Sequence, residues 1–399
     1  MDLHSLEDMI LYDSDSDDEL ETIGIAVMEG QQLAANSSSK SRHNSNQRRK
    51  FIWRNSLQGH QRLFLDYFAD PPVYPSNVFR RRFRMKRSLF LRIQSAVEAH
   101  ESYFVQKRNS AGVLGLSSLQ KMTAALRMLA YGVAADFMDK YLRIGESIAM
   151  KSLFYFVKAV VEIYSDQYLR SPNNNDIARL LAVGKSRGFP GMLGSIDFAS
   201  YDLWIWHAFF GLPGSHNDIN VLERSTVFTE LAQGLAPLVN YTINSNDYTM
   251  GYYLADGIYP PWGTFVKTIP CPQGNKKKHF AMAQEACRKD VEHAFRVLQA
   301  CFAIVRGPAR SWNLESIKVI MKGCIILHNM IIKDEQDDNE AQDTDFQQID
   351  ETPLAQVSHE RTIELMELIQ QNHRVKNKAI HSQLQSDLVK HLWQLYSQS

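Results

Sequence analysis

The sequence predicts a chain of α/β (α+β) class in two parts, an all-helical region followed by a region of short strands and long helices. Three observations predict it. Apolar periodicity is helical throughout from Ser117 to Tyr164. It changes after the polar run Ser171-Pro172-Asn173-Asn174-Asn175, which reads as a linker. Beyond that run, apolar segments of strand length end in carboxylates and lead into two long apolar helical runs.

In the helical part, Ser117 and Ser118 are positioned to cap a helix carrying Leu119, Met122, Ala125, Leu126, Leu129 and Ala130, and Gly132 ends it. A short helix from Ala134 to Tyr141 follows, then a turn at Leu142-Arg143-Ile144-Gly145. A third helix starts near Glu146 and runs through Met150, Leu153, Phe156, Val157 and Val160. Helix, short helix, glycine-containing turn and helix is the order of a helix-turn-helix, and equally of any three-helix bundle.

In the mixed part, Met192 to Asp197 reads as a buried strand ending in a carboxylate, and Asp202 to Phe210 as a second, aromatic-rich strand. Asn217 or Asp218 then caps a helix through Val221, Leu222, Val227 and Leu231. Met250 to Ala255 is a strand followed by Asp256, and Thr264 to Ile269 another. Helices over about Ala281–Phe302 and Leu314–Ile332 complete the region. The tail from Glu360 to Gln398 reads as one or two amphipathic helices, with Ile363, Leu365, Leu368 and Ile369 as a packing or dimer stripe.

The chain has 399 residues, 44% of them hydrophobic, which is enough to fill two or three cores. Its formal net charge of zero conceals segregated blocks. Residues 1–30 carry ten acids and no Lys or Arg; Lys40 to Arg92 carry fourteen Lys and Arg against Asp66 and Asp70; Asp334 to Glu351 carry nine acids and no base. Blocks of one sign read as solvated arms, and basic ones have nucleic acid as a common partner. The basic candidates are Gln47-Arg48-Arg49-Lys50, the cluster Arg80, Arg81, Arg82, Arg84, Lys86 and Arg87, and the run Lys276, Lys277 and Lys278. Each reads as a phosphate-binding or nuclear-import patch, or as a plain solvated face. Cys271, Cys287, Cys301 and Cys324 form no CxxC pair, so neither a disulfide framework nor a zinc finger is expected, and a reducing compartment fits. The start lacks a signal-peptide pattern, and Lys322, His328 and Asn329 break the apolar run Val319–Ile332, so no membrane partner is expected.

Four acids stand where a cation site could be built: Asp197 and Asp256 at strand ends, Glu292 on the long helix and Asp218 at a helix start. Phosphodiester chemistry needs hard cations held by carboxylate oxygens, which strand ends and a facing helix can bring together. Each acid has a plainer reading. Asp218 reads equally as an N-cap, Asp256 as the first residue of an Asp-Gly turn, and Glu292 as the surface ion-pair partner of Arg288 four residues before it. Asp197, ending an apolar strand, is the hardest to explain without a partner.

The segments Gly191–Asp197 (GMLGSID), Asp202–Leu222, Met250–Pro270, Arg288–Arg310 and Cys324–Ile331, with Arg80–Ile93 and Ser117–Gly132, resemble the PIF/Harbinger transposase-derived proteins of plants. The resemblance spans roughly residues 55 to 335. It implies a ribonuclease-H-like DDE catalytic domain preceded by a helix-turn-helix-bearing helical domain, and DNA endonuclease ancestry with Mg2+ or Mn2+. Carried over by position, Asp197, Asp256 and Glu292 are the catalytic acids, and Asp197, Asp218, Asp256 and Glu292 the metal ligands. It also implies a nuclear protein, present in the cytoplasm as a second location, with DNA and a separate Myb-like protein as partners. A homodimer through the C-terminal helices is a further expectation. The chain departs from the pattern between the first two acids, which are only twenty-one residues apart here, too few for the hairpin and second strand the family fold requires. His293 and Arg296 also stand where the family usually has Arg and Gly. The expected map is a disordered arm over 1–50, the helical domain over 51–170, a truncated nuclease domain over 185–335, an acidic linker over 336–359 and C-terminal helices over 360–399. Three readings stay open: a nuclease fold whose catalysis is weakened or absent, a domesticated, non-catalytic DNA- or partner-binding nuclear protein, and a mis-spliced product that does not fold fully.

Overall fold

A computed structural model describes residues 52–110, 112–195, 199–206, 238–307, 314–342 and 377–398. Several expectations lie outside them: the arm over 1–50, the carboxylates Asp197 and Asp218, the helix after Asp218, most of the acidic linker and the Ile363–Ile369 stripe. The chain forms two compact units, one of residues up to 165 with 299–327, the other of 166–298 with 328–399. Residues 299–327, expected in the second domain, thus cluster with the first. Among the described residues no helix is long and apolar enough to cross a membrane.

The first unit is helical: α1 (Ser56–Tyr67), α2 (Ser76–Phe83), α3 (Arg87–His100), α4 (Ser118–Tyr131), α5 (Phe137–Leu142) and α6 (Glu146–Tyr168), whose last residues run into the second unit. Rings from α1 to α3 make an aromatic core, in which Phe79 and Phe83 stack at 4.2 Å and Phe90 meets Phe83 edge-on at 5.3 Å. The expected cap of α4 is present as a capping box: Ser117 Oγ accepts from the Gln120 N–H while the Gln120 carboxamide accepts from the Ser117 N–H. The same carboxamide donates to the carbonyls of Ser56 and Leu142, both at 2.9 Å, and so ties α1 and α5 to the start of α4. Gly132 closes α4 at φ 61°, with the backbone of Ala303 3.2 Å from where a Cβ would stand, so both conformation and space demand glycine. The short helix begins three residues later than the sequence predicts.

In the second unit, α7 (Asn174–Ser186) corrects the sequence reading, because the presumed linker is in part a helix start. Asn173 Oδ1 accepts from the Asp176 N–H and Asp176 Oδ2 from the Asn173 N–H, both at 2.9 Å. Strand β1 (Met192–Ser195) follows, then the hairpin of β2 (Leu238–Ile243) and β3 (Asn246–Met250), then β4 (Tyr252–Ala255) and β5 (Phe265–Lys267). The three-stranded sheet has the order β1-β4-β5 and is wholly parallel, with Ser195 opposite Leu254 and Leu254 opposite Val266. The hairpin was not anticipated. Its two-residue turn places Asn244 at φ 49° and Ser245 at φ 68°, the paired left-handed geometry that matches strand twist.

A short parallel sheet needs cover. The long helix α8 (Asn275–Cys301) supplies Phe280, and the last helix, α10 (Lys378–Gln398), supplies Leu384, Leu388, Val389 and Leu392. These side chains are buried against Met192, Tyr252, Leu254 and Val266. Polar groups fix α10 in register: His381 Nδ1 donates to the Phe265 carbonyl at 2.6 Å, and the buried Asp387 accepts from Tyr248 Oη and Asn246 Nδ2 at 2.7 and 2.8 Å. The apolar face of α10 is therefore committed within its own unit.

The expected aromatic strand is corrected in its described part. Residues 199–206 form a reversal with a single bridge between Ala199 and Ile205. Leu203 is left-handed at φ 67°, its N–H bonds to the Ser200 carbonyl, and the Ser200 N–H bonds to the Trp204 carbonyl, so the chain folds back before a strand can extend. A buried side chain replaces the missing strand partner. Asn329, on α9 (Leu314–Gln342), accepts from the Ile205 N–H at 3.0 Å and donates to the carbonyls of Ile205 and Tyr168 at 2.8 and 2.7 Å. Next to it, His328 Nε2 donates to the Leu203 carbonyl at 2.8 Å, and burial holds its pKa below the ordinary 6.5.

A lowered native pKa means the unfolded chain binds the proton more readily. His328 therefore contributes stability that is full above pH about 6.5 and lost as pH falls through that value toward the native pKa. Thermal unfolding followed from pH 8 to 5 should show a midpoint decline over this window that is smaller in His328→Gln, once each is normalised to its pH 8 value. Equal declines would remove His328 as the source.

Candidate carboxylate site

Asp256 directly follows β4, the central strand, and its position is set by α8. Gln284, fully buried on the inward side of that helix, donates to the carbonyls of Ala255 at 3.0 Å and Val266 at 3.2 Å, so one carboxamide clamps the ends of two neighbouring strands. Its Oε1 is buried without a hydrogen-bond partner. The Asp256 side chain is 48% exposed; Oδ1 accepts from the Gly257 N–H at 2.6 Å, and Oδ2 lies 3.6 Å from the Arg288 guanidinium of α8. The Asp-Gly turn expected from the sequence and the strand-end carboxylate are thus the same residue.

Glu292 lies one turn beyond Arg288 on α8. The ion pair expected between those two gives way to a different pairing: Arg288 turns to Asp256, and Glu292, 59% exposed, pairs with Arg296 at 3.1 Å. Another acid of α8, Asp290, pairs with Arg187 at the end of α7. Asp290 and Arg187 line a cavity with Ser195, Ala199, Tyr201 and Cys287, next to the end of β1. The Cys287 thiol is pushed up in pKa by burial, against the opposing pull of Arg187. Asp256, Asp290 and Glu292 therefore each have their own arginine, while Glu285 of α8 is paired with Lys289. Among the described residues no three Asp, Glu, His or Cys side chains gather as a metal site, so the described part does not by itself fit Mg2+ or Mn2+.

Sequence reasoning missed Gln284, Asp290 and Arg187. Gln284 had a signal, a polar residue on the stripe of Phe280, Ala294 and Leu298, where an unpaired amide is costly. The Arg187–Asp290 pair joins residues far apart in the chain and leaves no local pattern.

The basic cluster of the first unit divides. Arg80, Arg81 and Arg87 are exposed. Arg82 stacks over Tyr74 at 4.2 Å and hydrogen-bonds Tyr67, and Arg84, left-handed at φ 64°, lies over Tyr131 at 5.4 Å. Lys86 is half-buried, and Lys276, Lys277 and Lys278 are exposed in the first turn of α8. In α6, the third helix of the expected helix-turn-helix, Lys151 and Ser152 are buried in the second turn, where Tyr103 Oη bonds Ser152 Oγ at 2.9 Å.

Parallel strands with an acid at the central strand's end and a covering helix that brings more acids define the class of site. Comparison with known families supplies the rest. The model of a plant transposon protein family matches residues 166–199 and 197–339, two segments that meet at 197–199. Over that stretch the chain is similar to plant transposon proteins, consistent with a transposase-derived origin. A model of a domain of unknown function matches residues 59–98. No curated protein and no solved structure matches the chain.

Replacing Gln284 by Leu removes one hydrogen bond from each of the Ala255 and Val266 carbonyls under cover, the first of which keeps the Thr268 N–H at 3.2 Å. The expected cost is about 2 kcal/mol, read as a lower urea midpoint. An unchanged midpoint would show that the clamp contributes nothing to the sheet.

Proposed function

We propose that the chain is a transposase-derived protein of the PIF/Harbinger type, with a ribonuclease-H-like DDE nuclease fold directed at DNA phosphodiester bonds and with catalysis impaired by loss of a strand-bearing segment after Asp197. The observation that carries the reading is the parallel pairing of β1 with β4. Asp197 follows Ser195 by two residues, and Asp256 follows Leu254, the partner of Ser195, by two residues. Positions two apart on a strand share a face, so that ladder, continued, would bring the two acids to one sheet edge.

The impairment rests on three features. The family match breaks at residues 197–199, where the segment between the first two acids is short. The described residues after it turn back rather than extend. Arg296, which stands where the family usually has Gly, is paired with Glu292. Asp197, Asp218, Asp256 and Glu292 are the residues that would hold Mg2+ or Mn2+, and such ions supply charge to an in-line phosphoryl displacement. Arg288 and Arg296 compete for that role by neutralising two of the four. The reading carries a nuclear location, DNA and a Myb-like protein as partners.

A supercoiled-plasmid nicking assay with Mn2+ tests this on the chain, its Asp256→Ala and Arg296→Gly variants, and a form with the segment restored from an uninterrupted relative. The restored form should nick about a hundredfold faster, since small misplacements of catalytic groups cost that much, and Arg296→Gly should raise the rate of the chain itself. Absence of Asp256-dependent nicking in the restored form would overturn the nuclease reading; equal rates in short and restored forms would overturn the impairment.

Duplex binding by the first unit is tested separately. Replacing exposed Arg80, Arg81 and Arg87 by Ala in the full chain should reduce the slope of log affinity against log salt by about 2 to 3. An unchanged slope would take these residues out of the interface.

A further inference from the structure

The second unit carries an aromatic and basic surface that the carboxylate reading does not use. Lys276, Lys277 and Lys278 occupy the first turn of α8, all exposed, and that turn contains no acid. Three cations at the positive end of a helix repel its dipole as well as one another, an arrangement that an external anion relieves. Directly after them, His279 packs its ring 4.6 Å from Tyr396 and 6.3 Å from Trp393 of α10, and those two rings lie 5.6 Å apart. Tyr396 is 58% exposed, and Met282, one turn on from His279, is 67% exposed. The platform is fixed, because Leu388 and Leu392 on the same helix are buried in the core.

We propose that this surface binds single-stranded nucleic acid, with bases stacked on Tyr396, Trp393 and His279 and phosphates held by Lys276, Lys277 and Lys278. Adjacent aromatic faces offer a base what a neighbouring base would, while lysines track the backbone; this combination binds single strands with little sequence preference. A duplex keeps its bases stacked internally and cannot use the rings. A polyanion without bases, such as inorganic polyphosphate, can use the lysines alone. The proposal does not depend on the carboxylate reading.

The test uses the full chain in EDTA, with fluorescence anisotropy of labelled oligo-dT and oligo-U 20-mers, a duplex of equal length, and polyphosphate as competitor. Tyr396→Ala should weaken single-strand binding about fivefold or more, as loss of one stacking partner does, while Tyr396→Phe retains it. Neither should change duplex binding. Replacing Lys276, Lys277 and Lys278 together by Ala should flatten the single-strand salt slope by about 2. The dT and U arms report whether DNA, RNA or both are accepted, and each agrees with the proposal. No effect of Tyr396→Ala, an equal loss for the duplex, or polyphosphate competing as well as the oligonucleotides would each overturn it, leaving a plain electrostatic patch.

Discussion

The second unit depends on covering a very small parallel sheet. Strands of four, four and three residues make few ladder bonds, and parallel strands have no tight turn to hold them together. What keeps Met192, Leu254 and Val266 in register is apolar cover from Phe280 on α8 and from Leu384, Leu388 and Leu392 on α10. Burial of such side chains contributes about 1.5–3 kcal/mol each, more than the few strand hydrogen bonds yield net. Polar contacts then set position rather than bulk stability. Gln284 fixes the helix over the ends of β4 and β5, and His381 and Asp387 fix α10 over β5 and the hairpin.

The same constraint explains where arginines sit. Acids at strand ends and on the flanks of the covering helix are half-exposed and close to basic side chains of α7 and α8, so Asp256, Asp290 and Glu292 each find a guanidinium. A site that gathers cations needs its acids facing one another with the positive charges turned away. Here the positive charges interleave. Arg296 matters most in this respect, because a residue with no side chain in its place would leave Glu292 without its partner.

Much of this was legible where the determinants are local. Ser117, Gln120 and Gly132 bound a helix within one turn at each end, and α4 has the limits they imply. The strands ending near Asp197 and at Asp256 were readable as short apolar runs. Asn173 and Asp176 were also a local signal, concealed by the surrounding Ser, Pro and Asn that look like a linker. The hairpin escaped because its turn uses Asn244-Ser245 rather than an Asn-Gly pair. The aromatic run after Asp202 has strand composition, but Ser200 and Asp202 fold it back and Asn329, more than a hundred residues away, supplies the pairing. At the site, Asp256 and Glu292 were visible as residues, and Arg296 stands four residues after Glu292, the same helical spacing that Arg288 has before it. That Arg288 meets Asp256 and Arg187 meets Asp290 is decided by how α8 lies on the sheet, and no spacing in the sequence encodes that.

The docking of α10 has a consequence for the order in which the protein can be made. The strands it covers emerge from the ribosome about a hundred residues before it does, at a few to some tens of residues per second. During that interval Leu254, Val266 and Tyr252 have only part of their final surroundings, and the Tyr248 hydroxyl and Asn246 amide are without Asp387 as a partner. The second unit therefore reaches its native core only after synthesis of its last helix, while the early helices of the first unit are free to pack as they emerge. Until then the nascent chain presents an open apolar sheet face, the kind of surface that chaperones recognise.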